Sequence, residues 1–227
     1  MVKYPAATSI SRENCVTRFD LVVQTRGSLH PDGEPDRFIS EYLGFVHGQG
    51  EDGTARRVGR VHAYRIHADL AARHGEPLSD VCDAHSHALH ACHRLFYEPD
   101  GYHLRDHFGA VECDCLVVDY VVLHPRWRGL RLGLLAVRKL LDLLGGGCGL
   151  AVAEVLPLNA QARDLLQVPA SWLPRHETKE AYREAVLKLR RYFRQMGFER
   201  VGRTGYYALP LARQTPTLAD LVRPSRA

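Results

Sequence analysis

Apolar residues change their period several times along the chain, and each change predicts an element. Residues 18–25 alternate apolar with polar well enough for a first strand. A stretch rich in Gly, Pro and Asp at 27–35 predicts a loop. Residues 42–47 and 57–66 read as the two strands of a hairpin turning across Gly50, Glu51, Asp52 and Gly53. At 77–97 the period becomes helical. Val81, Ala84, Ala88, Leu89, Cys92, Leu95 and Phe96 recur on one side, behind Pro77 and Ser79 as start signals. Residues 115–123 form an almost unbroken β-branched run, as in a strand covered on both faces. Residues 131–144 make a helix whose only polar positions are Arg131, Arg138, Lys139 and Asp142, stopped by Gly145, Gly146 and Gly147. A strand at 149–156 follows. A long helix at 178–196 packs through Tyr182, Ala185, Leu189, Tyr192, Phe193 and Met196, and one or two strands close the chain at 201–211.

The order strand, helix, strand, helix, strand behind an antiparallel front half predicts an α/β (α+β) fold. Its sheet is mixed and mostly antiparallel, with helices on both faces. One domain at 17–212 is expected between a loose lead (1–16) and a polar tail (213–227).

Composition narrows the partners. An apolar share of 45% suits a core-forming globular chain, and no apolar run approaches the ~20 residues that span a bilayer. Residues 1–15 lack the apolar stretch of a secretory signal, so a cytoplasmic protein with no membrane partner is expected. The net charge of +4 is dispersed, which argues against nucleic acid. The six cysteines (15, 82, 92, 113, 115, 148) form no CxxC pair and read as reduced thiols. The helix segment 82–93 carries four histidines. His87 and His90 share a face with Asp83, but one exposed helix face rarely closes a metal site, so no metal is expected.

The most informative segment runs from Val121 to Leu135. A buried strand enters a His124-Pro125 corner, then a turn bearing Gly129 and Gly133, then a buried helix. A helix N-terminus offers unpaired N–H groups and partial positive charge, which suits an anion. The glycines allow close approach, and Arg128 and Arg131 add charge. Neither the Walker pattern nor the dinucleotide fingerprint is present. From the residues alone, a phosphate site and an ordinary strand-to-helix turn stand level.

Arg128-Gly129-Leu130-Arg131-Leu132-Gly133 resembles the pyrophosphate signature R/Q-x-x-G-x-G/A of the GNAT superfamily of acyl-CoA-dependent N-acyltransferases, with Arg131 at its middle glycine. The hydrophobic strand before it, residues 192–198 with Tyr206 and Tyr207, and Asn159 beyond the next strand also look like that family. The resemblance covers roughly residues 110–210. It implies acetyl-CoA as co-substrate and direct attack on the thioester by an amine, from a small molecule or from a protein or peptide. Backbone groups of Val121, Val122 and Leu123 would then hold the pantetheine arm and stabilise the oxyanion. Residues 128–133 would hold the pyrophosphate, with Asn159 and Phe193 also on the cofactor.

Asp119 is the candidate base: a single carboxylate in an apolar run, nine residues before Arg128, a position often acidic in the family. Pairing with an arginine is its structural alternative, and Glu112 and Asp114 are lesser candidates. The family's tyrosine acid falls at Phe193, with Tyr192 beside it. Neighbouring helix positions differ by ~100°, so either Tyr192 reaches by a register shift, or Tyr206 or Tyr207 serves, or no acid is used. The 34-residue interval from Asn159 to Phe193 is longer than the family's usual one. It reads either as a wall of the acceptor site or as a homodimer contact. A catalytically silent acyl-CoA-binding module and a metal-responsive protein built on the histidines are the other readings.

Overall fold

The computed structural model describes residues 16–25, 35–50, 53–158, 168–176 and 178–222. Its strands are β1 (Val16–Thr25), β2 (Ile39–Gly50), β3 (Ala55–Ile66), β4 (Asp114–Leu123), β5 (Cys148–Glu154), β6 (Glu199–Arg200) and β7 (Tyr206–Pro210). The helices are α1 (Ala68–His74), α2 (Leu78–His85), α3 (His87–Phe96), α4 (Leu132–Leu144), α5 (Lys179–Gln195) and α6 (Leu218–Val222).

All seven strands join one sheet in the order β1-β2-β3-β4-β5-β7-β6. Every neighbouring pair is antiparallel except β4–β5, which α4 connects as a parallel crossover. The expected mixed, mostly antiparallel sheet with helices on both faces is what the chain forms. The β-branched run in β4 supplies both cores by its period of two. Leu116 and Val118 pack with Leu134, Val137 and Leu140 of α4, while Cys115 and Val117 pack with Val81, Leu89 and Phe96 of α2 and α3. Each such side chain contributes roughly 1.5–3 kcal/mol over an exposed one.

Two features set the shape of β4. Gly149 of β5 has no room for a side chain, because a Cβ would stand 1.9 Å from the Glu112 carbonyl oxygen. Glycine there lets the approach to β4 run against β5. On the other side, Ala63 pairs with Val118 but His62 pairs with Tyr120, so Asp119 is an extra residue in β4, a β-bulge. Beyond it Val121 and Leu123 continue the face of Leu116 and Val118, while Tyr120 and Val122 form a small cluster with Val168 and Leu173.

Several expectations need correction. The single helix expected at 77–97 is two, because Ser86 is extended (φ −165°, ψ 149°) and its Oγ accepts from the Leu89 N–H at 3.2 Å. A serine oxygen that caps a new helix competes with continuing the old one. Helix α1, between β3 and α2, was not expected. The segment read as a polar tail contains α6, whose Leu221 is 4% exposed in the α4 core. Of the packing positions expected for the last long helix, Leu189, Tyr192 and Phe193 of α5 pack on the α4 core and Met196, just past its end, is 2% exposed. Tyr182, however, is 37% exposed, and the buried residue within α5 is the unexpected Val186. The lead up to Cys15, and residues 223–227, lie outside the described residues.

Candidate functional site

The β4–β5 ladder ends at the Val118–Ala153 pair. From there β4 stays on β3, with Val121 opposite Val61 and Leu123 opposite Gly59, while β5 stays on β7, Val155 donating its N–H to the Gly205 carbonyl at 2.9 Å. Two parallel strands that part leave an edge of β4, residues 119–123, facing a cleft of about 320 Å³. Its walls come from α4 and from Leu189, Tyr192 and Phe193 of α5.

The turn into α4 lies at this cleft. Arg128, Gly129, Arg131, Leu132 and Gly133 line it, as do Val121, Val122 and Leu123. Leu130 is half-buried and does not line it, and Asn159 lies outside the described residues. Gly129 takes φ 82° and Arg131 φ 60°, left-handed values that reverse the chain into the helix. Arg131 is the N-cap and supplies no side-chain cap, so helix geometry leaves the first N–H groups without intrahelical acceptors. A Cβ on Gly133 would meet only Val121 and Leu123 side chains at 3.7 Å, an ordinary contact. The two guanidinium groups are held by backbone: Arg128 donates to the carbonyls of Leu123 (3.1 Å) and Trp172, and Arg131 to the carbonyl of Leu221 (2.9 Å). These backbone bonds hold both guanidinium groups at the turn.

Asp119 and Glu154 stand one residue past the last rung of the ladder, where the strands part, and both line the cleft. Burial, then the charge of Asp119, raises the Glu154 carboxyl above its ordinary range. Asp119 departs from its expected setting. It is not buried, and among the described residues no arginine pairs with it: the bulge leaves its side chain 38% exposed and turns it to His62, whose Nδ1 lies 2.8 Å from Asp119 Oδ2. His62 Nε2 lies 2.7 Å from Glu41 Oε1 of β2. Its ring stacks on Tyr120 at 5.1 Å and meets Tyr64 edge-on at 4.7 Å. Burial disfavours the imidazolium, but the hydrogen bonds to Asp119 and Glu41 outweigh it and hold the His62 pKa above its usual value. Burial pushes the Tyr120 hydroxyl up to about 12.

Of the other proposed bases, Glu112 is exposed and away from the cleft. Asp114 sits at the far end of β4, where Arg65 Nη2 donates to it at 2.8 Å and His67 lies at 3.4 Å. Burial would raise its carboxyl, but His67 and Arg65 win and lower it. Tyr192 and Phe193 both line the cleft. Tyr207 is wholly buried on the α4 face, and its hydroxyl has no partner among the described residues. Tyr206 faces the opposite core, edge-on to Phe96 at 5.9 Å. Neither Tyr206 nor Tyr207 lines the cleft.

Trp172, Pro174 and His176 of the long interval line the cleft. Trp172 packs edge-on to His124 at 5.4 Å. The break at Ser86 disperses the histidines. His90 lies 3.2 Å from Asp83, His93 Nε2 donates to the Gly101 carbonyl at 3.0 Å, and His85 packs on Tyr64. Among the described residues no three His, Cys, Asp or Glu side chains are grouped to hold a metal.

Sequence reasoning missed His62, Glu41 and Glu154. Arg60, His62 and Tyr64 do alternate with Val61 and Ala63, which marks them as sharing one face of β3, but their cross-strand partners follow from register. Set against protein-family models, curated proteins and solved structures, the chain matches none of them.

Proposed function

We propose that the protein is an N-acyltransferase that moves an acetyl group from acetyl-CoA to an amine. The observation that carries this reading is the cleft between β4 and β5, with a glycine turn and the N-terminus of α4 at its wall and two carboxylates where the strands part. An elongated anionic thioester suits that order of groups. Its pyrophosphate would sit on the N–H groups at 129–133, favoured by the helix dipole. Its pantetheine arm would run along the β4 edge as an added strand, hydrogen-bonded by backbone. The thioester carbonyl would then reach the bulge, where a backbone N–H stabilises the oxyanion and Asp119 takes the proton of the attacking amine. Tyr192, on the cleft wall, is the candidate donor to the leaving thiolate.

A silent acyl-CoA-binding module is the second reading, favoured by Phe193 at the position where the resembling family carries its tyrosine. Titration calorimetry with CoA, followed by thiol release from acetyl-CoA over a panel of primary amines, separates the two. Binding with release supports the enzyme, binding without release supports the module, and no binding at millimolar CoA overturns both. Among the described residues no helix is long and apolar enough to cross a membrane. A cytoplasmic site of action is part of the proposal.

A further inference from the structure

The imidazole of His62 lies between two carboxylates, one at the cleft and one at the surface. Asp119 Oδ2 is 2.8 Å from Nδ1 and Glu41 Oε1 is 2.7 Å from Nε2. A neutral imidazole has one N–H, so it can satisfy only one of two ionised carboxylates. The second contact requires one more proton in the cluster. Three groups on three neighbouring strands are therefore built to take up and hold a single proton. Glu41 is 58% exposed and Asp119 38%, whereas the His62 side chain is 9% exposed, so the chain has a wet end, a buried middle and an end in the cleft.

We propose that His62 is the positioning residue of the acceptor site: it aims Asp119 into the cleft and stores the proton that the acceptor amine gives up. This rests on the acyltransferase reading. In the form that accepts, Nε2–H donates to Glu41 and the Nδ1 lone pair faces Asp119. An N–H bond of the acceptor ammonium breaks, its electron pair stays on nitrogen as the nucleophile, and the proton reaches the Asp119 carboxylate. The hydrogen bond to Nδ1 moves it to the imidazole. Asp119 is then a carboxylate again and His62 a cation between two anions. Solvent at the Glu41 end recovers the proton between turnovers. A lone carboxylate ionises near pH 4, whereas a pair that includes histidine accepts protons near neutrality, where a base works best.

The titratable and charged groups about the ring are Glu41 from β2, Arg60 and Tyr64 from β3, and Asp119 and Tyr120 from β4; His85 of α2 reaches it only through Tyr64. The tyrosines stay neutral because burial and the carboxylates raise them. The two carboxylates therefore set the titration of His62.

The test has two arms on the full chain. In the first, NMR follows the His62 ring against pH in the wild type, Glu41→Gln and Asp119→Asn. The wild-type midpoint should exceed that of a free histidine, and each variant should lower it. A wild-type midpoint at or below the free value, or one that neither variant moves, overturns the proposal. In the second, kcat/KM with acetyl-CoA and the best amine of the panel is profiled against pH for wild type and His62→Gln. Because the acceptor is common to both, its own ionisation cancels. The variant should lose about 10- to 100-fold at neutral pH, its acid limb should move down toward the carboxylate range, and imidazole should partly restore a His62→Ala variant. An unmoved limb in folded His62→Gln makes His62 a packing residue and overturns the proposal. A wild type inert toward acetyl-CoA, with the NMR shifts present, overturns instead the acyltransferase reading, and the relay with it.

Discussion

Asp119 and Asp114 lie five residues apart on one strand, and their surroundings assign them opposite roles. Asp119 is the bulge residue, 38% exposed, with one hydrogen bond to His62. Asparagine keeps that shape, so Asp119→Asn should melt near the wild type yet lower turnover by ~100-fold, the usual size of a lost acid–base group. The deficit should shrink as pH rises and more amine is already unprotonated. Normal turnover in the folded variant would remove Asp119 from the mechanism. Asp114 is 9% exposed and holds Arg65 and His67. Asp114→Asn leaves the Arg65 guanidinium without its carboxylate and should cost about 3–5 kcal/mol in denaturant unfolding. The sign with pH follows from its lowered pKa: its stabilisation is present above the ordinary carboxylate value of about 3.9 and is lost as pH falls through the lower folded value. The wild type should therefore lose stability in acid more steeply than the variant; parallel acid profiles would contradict this. Asp119 was legible as an isolated carboxylate in an apolar run, but not its exposure. A bulge shifts the period of two by one residue and leaves no mark in composition.

At the scale of elements, period and punctuation were legible where one rule governed. β4 showed both-face burial because helices cover both faces, and α4 showed its stop because Gly145 to Gly147 follow it. The break between α2 and α3 was not, since the apolar spacing continues through Ser86 while the backbone does not. Nor was the use of Arg128 and Arg131, whose backbone acceptors, at Trp172 and Leu221, are distant in sequence. Gly149 gives a prediction for the β4–β5 pair. A methyl there would collide with a backbone oxygen, not a movable side chain, so Gly149→Ala should cost about 1–3 kcal/mol. It lies at the opposite end of β5 from the cleft, so CoA affinity of the folded fraction should not change. Unaltered denaturant unfolding would show that the approach at Glu112 is looser than its geometry.

The molecule as a whole is a sheet split along one seam, with helices on each face and a cleft where β4 and β5 part. In the proposed acyltransferase this seam takes a CoA thioester with the phosphates on the turn into α4. Gly133 tests it cleanly. A Cβ fits there, and an acidic residue in the first turn suits the helix dipole, so Gly133→Asp should fold and melt at or above the wild type. Its carboxylate would also repel or displace a pyrophosphate. The decisive measurement is calorimetric titration of CoA into the wild type and Gly133→Asp, with melting of both recorded alongside. The account predicts saturable binding to the wild type, a stabilisation of about 2.7 kcal/mol at a hundredfold excess over Kd, and at least tenfold weaker binding by a variant that melts normally. No binding to the wild type at millimolar CoA, or equal affinity in the two proteins, would contradict it.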